Sequence, residues 1–128
     1  LKRGKYYYLF CSTGTCCDGA NSTYQTVVCR STELFGPYLN KSGDNMNDNK
    51  HEVLIHRNDA FLGTGHNAEI VQDEGKDWII YHAYRTADPS LGRVVLLDRV
   101  YWDDDDWPYL VGDGPVVKAE APTFKKSK

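Results

Sequence analysis

Apolar and aromatic residues come in short runs, each bounded by Gly, Pro, Asn or Asp, and nowhere do they recur with a helical period. That punctuation restricts the chain to an all-β fold. Strands are predicted at 6–12, 24–30, 52–56, 68–72, 78–84 and 93–102. In a strand, successive side chains point to opposite faces. Tyr6, Tyr8 and Phe10 therefore oppose Tyr7, Leu9 and Cys11, while Val94 and Leu96 oppose Val95 and Leu97. Both sets are apolar, which predicts strands covered on both faces.

The intervening segments read as turns. Residues 13–21 are polar and glycine-bearing, Phe35-Gly36-Pro37-Tyr38 breaks the chain, and 40–50 is rich in Asn and Asp. None has the composition of a domain linker. A weak repeat runs through the sequence: Gly4-Lys5-Tyr6-Tyr7-Tyr8-Leu9-Phe10 resembles Gly75-Lys76-Asp77-Trp78-Ile79-Ile80-Tyr81, and Thr26-Val27-Val28 recurs as Arg93-Val94-Val95 at a similar offset. Repeated groups of short strands stacked through apolar faces are the mark of propeller blades, with a two-layer β-sandwich as the alternative.

Composition excludes several functions. The 128 residues carry a net charge of -3 and contain no apolar run long enough to span a membrane as a helix. Lysines and arginines are scattered without a basic stripe, so neither nucleic acid nor membrane is an expected partner. Lys125-Lys126-Ser127-Lys128 reads as a solvated end. The chain opens on Leu1-Lys2-Arg3-Gly4 directly before a strand, carries its one methionine at Met46 and shows no signal peptide, which reads as a segment cut from a longer polypeptide.

Candidate chemistry centres on His66, set on a glycine-flanked turn in Gly63-Thr64-Gly65-His66-Asn67. Glycines let the backbone approach a ligand or metal closely, and the plainer reading is a hydrogen-bonded turn histidine. His51, His56 and His82 read as structural. The four cysteines, Cys11, Cys16, Cys17 and Cys29, allow either two disulfides or free thiols with a vicinal pair. Adjacent Cys16 and Cys17 are poorly spaced for zinc. Asp103 to Asp106 reads as a solvated turn rather than a calcium cage. Trp78, Trp102 and Trp107 read as packing residues rather than sugar platforms. Asn21-Ser22-Thr23 and Asn40-Lys41-Ser42 match the glycosylation acceptor triplet, a frequent pattern.

Tyr6-Tyr7-Tyr8-Leu9-Phe10, Cys16-Cys17-Asp18-Gly19, Ser22-Thr23-Tyr24, Arg30-Ser31, Gly36-Pro37-Tyr38, Gly65-His66-Asn67, Tyr81-His82-Ala83 and Trp107-Pro108 follow one another in this order. In this the chain resembles the C-terminal part of glycoside hydrolase family 43, in its endo-1,5-α-L-arabinanase branch. The resemblance implies a five-bladed β-propeller, secreted or periplasmic, that cleaves α-1,5-linked arabinan with inversion. It implies that this chain is a C-terminal fragment of one catalytic domain, about two blades at 1–60 and 61–124 with 125–128 as a tail.

Inverting hydrolysis needs an acid and a base, both carboxyl groups. The resemblance places them upstream of Leu1, so no catalytic residue is expected here and the isolated chain is expected to be inactive. It gives His66 a calcium ion at the propeller axis, ligated mostly by water and therefore weakly held. It sets the loop 16–22 along the sugar cleft, with Asn21, Ser22 or Thr23 as hydrogen-bond donors. Expected partners are arabinan and either the remaining blades or further copies of the chain. The family pattern Asp-Gly-Trp-Pro has Asp106 in place of its glycine, which puts that turn's geometry in question. The alternative function is a non-catalytic, self-associating carbohydrate-binding or assembly protein.

Overall fold

The computed structural model describes residues 1–124; the predicted basic tail lies outside the described residues. The described residues form nine strands joined by turns and short 3-10 segments. They are β1 (Lys2–Arg3), β2 (Tyr6–Thr13), β3 (Gln25–Ser31), β4 (Glu52–Ile55), β5 (Phe61–Gly65), β6 (Ile70–Asp73), β7 (Lys76–Arg85), β8 (Arg93–Trp102) and β9 (Pro108–Tyr109). Each of the six predicted strands is present, with ends shifted by no more than a few residues. Three were not foreseen. β1 and β9 are too short to show a period, and the glycines of β5 had read as a turn.

Two antiparallel meanders result. The first runs β1-β2-β3-β4. In the second, β5 and β6 both pair with β7, which continues to β8 and β9. β5 and β6 are two halves of one edge strand: Gly65 pairs with His82 and Ile70 with Ile79, so the edge carries more residues than β7 between those points. His66 lies in this interruption with φ 56. Pairing resumes where the Ala68 N–H donates to the Ile80 carbonyl at 2.8 Å. Glu74 and Gly75, both at positive φ, close the β6–β7 hairpin as a two-residue primed turn demands.

The two meanders, or sheets, are joined at one point, where Gln25 of β3 pairs in parallel with Thr64 of β5, and they share one core. Tyr8, Val28, Leu54 and Ile55 of the first meet Ile79, Tyr81, Val100 and Leu110 of the second in one core. The Tyr8 and Trp102 rings meet edge-on at 4.8 Å across this seam. The turn Asp103 to Asp106 bolts one end of it. Asp106 takes φ 61, the conformation that glycine favours, so the turn forms despite the missing glycine. Its carboxylate pairs with Arg3, and its carbonyl accepts from the Tyr8 hydroxyl at 2.5 Å and from Arg30 at 3.2 Å. The Arg30 guanidinium lies between the Tyr6 and Trp107 rings, 3.9 and 4.2 Å from their centres.

Coverage of both faces is the expectation that fails. The cross-strand pairs His82–Val95 and Ile80–Leu97 set these side chains on the face of the second sheet away from the core. Val95 is 76% exposed, Leu97 38% and Ile80 37%. On the first sheet Leu9 is 39% exposed. Apolar patterning reports what a strand face is suited to meet, and among the described residues Val95, Leu97 and Ile80 meet no covering element.

Candidate functional site

At the end of the seam opposite the acidic turn, five segments converge: the end of β2, the loop before β3, the β5–β6 interruption, the later half of β7 and the start of β8. Glycines make the convergence possible. A Cβ on Gly65 would lie 2.3 Å from the Tyr24 ring, and one on Gly63 would lie 2.7 Å from Ser22 Oγ. The loop 14–24 is thus seated on β5 by side chains that occupy the places of two missing methyl groups. Gly14 completes the fit at φ +90, its missing Cβ replaced by close approach of the Thr23 carbonyl.

His66 is exposed, and its N–H donates to Ser12 Oγ at 2.7 Å, which in turn donates to Asn67 Oδ1 at 3.2 Å. This ties the interruption to the neighbouring sheet. The His66 imidazole stacks on His82, with ring centres 5.3 Å apart and planes 19° off parallel, and Tyr24 covers His82 at 5.9 Å. Arg93 Nη1 lies 3.5 Å from His82 Nε2, 3.4 Å from Cys16 Sγ and 3.2 Å from Cys17 Sγ.

Arg93 has only donors, so His82 Nε2 must present its lone pair and Nδ1 carries the proton of the neutral ring. Burial holds the His82 pKa below its ordinary value, and the Arg93 and His66 charges add to the effect. The Cys16 thiol is raised, chiefly through its hydrogen bond with Cys17. All four cysteines are free thiols in this structure, and burial also raises Cys11 and Cys29.

Of the three residues assigned to the sugar, Ser22 is buried, its hydroxyl donating to the Thr15 carbonyl at 2.8 Å and accepting from the Tyr24 N–H at 3.3 Å. Thr23 is exposed and clasps Thr15 through both backbone and side chain. Asn21 is exposed at the end of a 3-10 turn, with its side-chain amide unbonded among the described residues. The sequence reading makes His82 structural and passes over Arg93. Only the β7–β8 register, with Tyr84 opposite Arg93, brings them together. Adding that register to the predicted strands is the signal that would have found them.

The cluster offers a guanidinium, two imidazoles, amides and hydroxyls, and no carboxylate is bonded to it among the described residues. It is equipped to hold polar oxygens, not to transfer protons between two carboxyl groups. For a metal, one exposed imidazole is the donor His66 supplies, and the described residues contain no group of three or more His, Cys, Asp or Glu able to enclose an ion. Such a donor set fits a largely hydrated cation and not a dehydrated oxygen cage.

The model of the family described as glycosyl hydrolases family 43 matches residues 1–108. The chain belongs to that family. It is 44% identical over 108 residues to the extracellular exo-α-(1→5)-L-arabinofuranosidase of Cellvibrio japonicus, covering 84% of this chain and 30% of the relative. It is 37% identical over 103 residues to the extracellular endo-α-(1→5)-L-arabinanase 1 of Bacillus subtilis, covering 80% and 30%. Among solved structures it superimposes on the Cellvibrio cellulosa α-L-arabinanase complexed with arabinohexaose with a TM-score of 0.80 at 42% identity, over 86% of this chain and 34% of that one. The chain thus spans about a third of the length of these relatives. Family 43 arabinanases are five-bladed β-propellers, and the two meanders described above are two of those blades.

Proposed function

We propose that this chain contributes two blades to an extracellular hydrolase of α-1,5-linked L-arabinan, and that the His66, His82 and Arg93 end of the seam is part of the floor of its sugar cleft. The observation that carries the reading is the convergence itself: glycines seat the Cys16 to Thr23 loop so that Arg93 and the stacked imidazoles share one surface. Arg93 donates to sugar oxygens while the neutral His82 holds the His66 ring from behind. Asn21, with its amide uncommitted, is the loop donor best placed for substrate, whereas Ser22 and Thr23 shape the loop that presents it.

The acid and base of an inverting cleavage, roughly 6.5 to 9.5 Å apart, come in this reading from other blades of the same propeller. His66 is the protein ligand for a hydrated calcium ion, which when bound adds positive charge beneath the cleft. The names of the relatives support a secreted location, in which the vicinal thiols would meet oxidising conditions.

The test is a hybrid in which this chain replaces the matching segment of the Cellvibrio japonicus relative. The folded hybrid is expected to release reducing ends from linear arabinan with inversion, and Arg93→Ala to weaken that release. Calcium is expected to raise its melting temperature, an effect lost in His66→Ala. A hybrid that folds yet neither binds nor cleaves arabinan sinks the proposal.

A second reading, self-association of the chain by itself, is favoured by one observation, the bare face around Val95. It concerns the chain without the other blades and does not compete for the cleft.

A further inference from the structure

The cysteines fall into two pairs of different character. Cys11 and Cys29 sit on neighbouring strands of the first sheet, and Cys29 is buried, donating to the Lys50 carbonyl at 3.4 Å. Cys11 lies opposite Val27, so Cys29 is its diagonal neighbour, at roughly 7 Å. A disulfide needs Cβ atoms about 3.5–4.5 Å apart, so these two remain thiols. Cys16 and Cys17 lie instead on the loop before β3, Cys17 exposed and Cys16 half-buried.

Consecutive side chains of an extended chain point in opposite directions. Here they do not. Cys17 takes φ 65, a left-handed conformation uncommon for a residue with a side chain, and both sulfurs reach one atom, Arg93 Nη1, at 3.4 and 3.2 Å. The two thiols also lie within hydrogen-bond reach of each other. The loop keeps them there because it is seated on β5 at Gly63 and Gly65 and clasped between Thr15 and Thr23.

We propose that Cys16 and Cys17 are a redox-modification site that closes to a vicinal disulfide with a small-molecule disulfide as oxidant, and that closure frees Arg93 for sugar oxygens. One cysteine thiolate attacks a sulfur of the oxidant, which releases one small thiol and leaves a mixed disulfide. The neighbouring thiolate then attacks the protein sulfur of that bond and releases the other small thiol. Two electrons pass from the pair to the oxidant's S–S bond, and the two thiol protons end on the released thiols. Adjacent Cα atoms are about 3.8 Å apart, closer than the roughly 4.4–6.8 Å usual across a disulfide, so the link is strained and readily reduced. It is therefore a reversible switch and not a structural staple. Joined sulfurs cannot ionise, so the guanidinium loses the charged acceptor that a thiolate would be. The release of Arg93 rests on the cleft reading above; the closure itself does not.

Two readouts keep these apart. For the closure, the full chain is equilibrated with glutathione disulfide, quenched with N-ethylmaleimide in denaturant and mapped by mass spectrometry. The peptide holding Cys16 and Cys17 is expected to lack two hydrogens and to carry neither maleimide nor glutathione, while Cys11 and Cys29 are alkylated. Cys17→Ser is expected to trap glutathione on Cys16 instead. Maleimide on both Cys16 and Cys17, a stable glutathione adduct on the wild-type pair, or a link between Cys11 and Cys29 overturns the proposal. The wild-type map decides it even where the variant does not fold.

For the release of Arg93, arabinan affinity is measured in the hybrid propeller, oxidised and reduced. Oxidation is expected to strengthen binding by about threefold or more, as the gain of one modest hydrogen bond does. The double variant Cys16→Ser with Cys17→Ser is expected to bind alike in both buffers. Equal affinity of the two wild-type forms, with the link shown by mass, overturns the release. A hybrid that binds in neither form overturns the cleft reading and the release with it, while the mass map still decides the closure.

Discussion

Gly65 has no room for a methyl group, because Tyr24 lies where its Cβ would be. Its φ is not in the left-handed region, so the obstacle is the ring alone. Gly65→Ala is therefore expected to lower stability by about 1–3 kcal/mol, the usual cost of overpacking. A urea midpoint series would measure it, and Tyr24→Ala should shrink the cost if the ring is its cause. Beside it, His82 makes stability depend on pH. Its folded pKa is lowered by burial first, then by Arg93 and His66. The unfolded chain then binds the proton more readily, so this contribution is complete above the unfolded value near 6.5 and is lost as pH falls through the lower folded value. Thermal midpoints of the wild type are expected to drop over that window more than those of His82→Gln. Parallel curves for the two would remove His82 from the account.

At the scale of elements, the acidic turn works as a bolt between blades. Arg30 reaches from β3 to fill the space between Tyr6 and Trp107, and it also donates to the turn's carbonyls. Each ring contact is worth roughly 0.5–1 kcal/mol where partly exposed, and hydrogen bonds to a charged donor more. Arg30→Ala is expected to cost about 2–3 kcal/mol in chemical unfolding. Arg30→Lys should recover less than half, because an ammonium cannot lie flat between two rings. A lysine variant as stable as the wild type would show that charge, not planarity, holds the seam.

Elements also mark how far the sequence could be read. Long strand-like runs such as Arg93–Trp102 are visible because β-branched, aliphatic and aromatic residues dominate them despite Asp98. β5 is not, because Gly63 and Gly65 sacrifice that preference to admit Ser22 and Tyr24, partners distant in sequence. The Gly-His motif was legible as a motif. Its setting, His66 stacked on His82 with Arg93 behind, depends on pairing between strands, which no local window contains.

At the scale of the whole molecule, the two sheets satisfy each other through one face apiece and leave the other unequally treated. Segment 116–121 covers part of the second sheet's outer face, while Ile80, Val95 and Leu97 stay bare side by side. A large contiguous apolar patch on a small chain promotes association. In the proposed full propeller another blade covers that stripe; without it, further copies of the same chain are the available apolar surface. The isolated chain is therefore expected to show a mass by light scattering that rises with concentration, since burial gains about 25 cal/mol per Å² of apolar surface. Val95→Lys with Leu97→Lys should return it to a monomer without changing its circular dichroism, because both side chains point away from the core. The same double substitution placed in the hybrid propeller should destabilise it by burying two unpaired charges against the next blade. Opposite effects in the two settings are what a blade face requires. A wild-type chain that stays monomeric at every concentration, or a hybrid indifferent to both lysines, would mean that this stripe meets nothing.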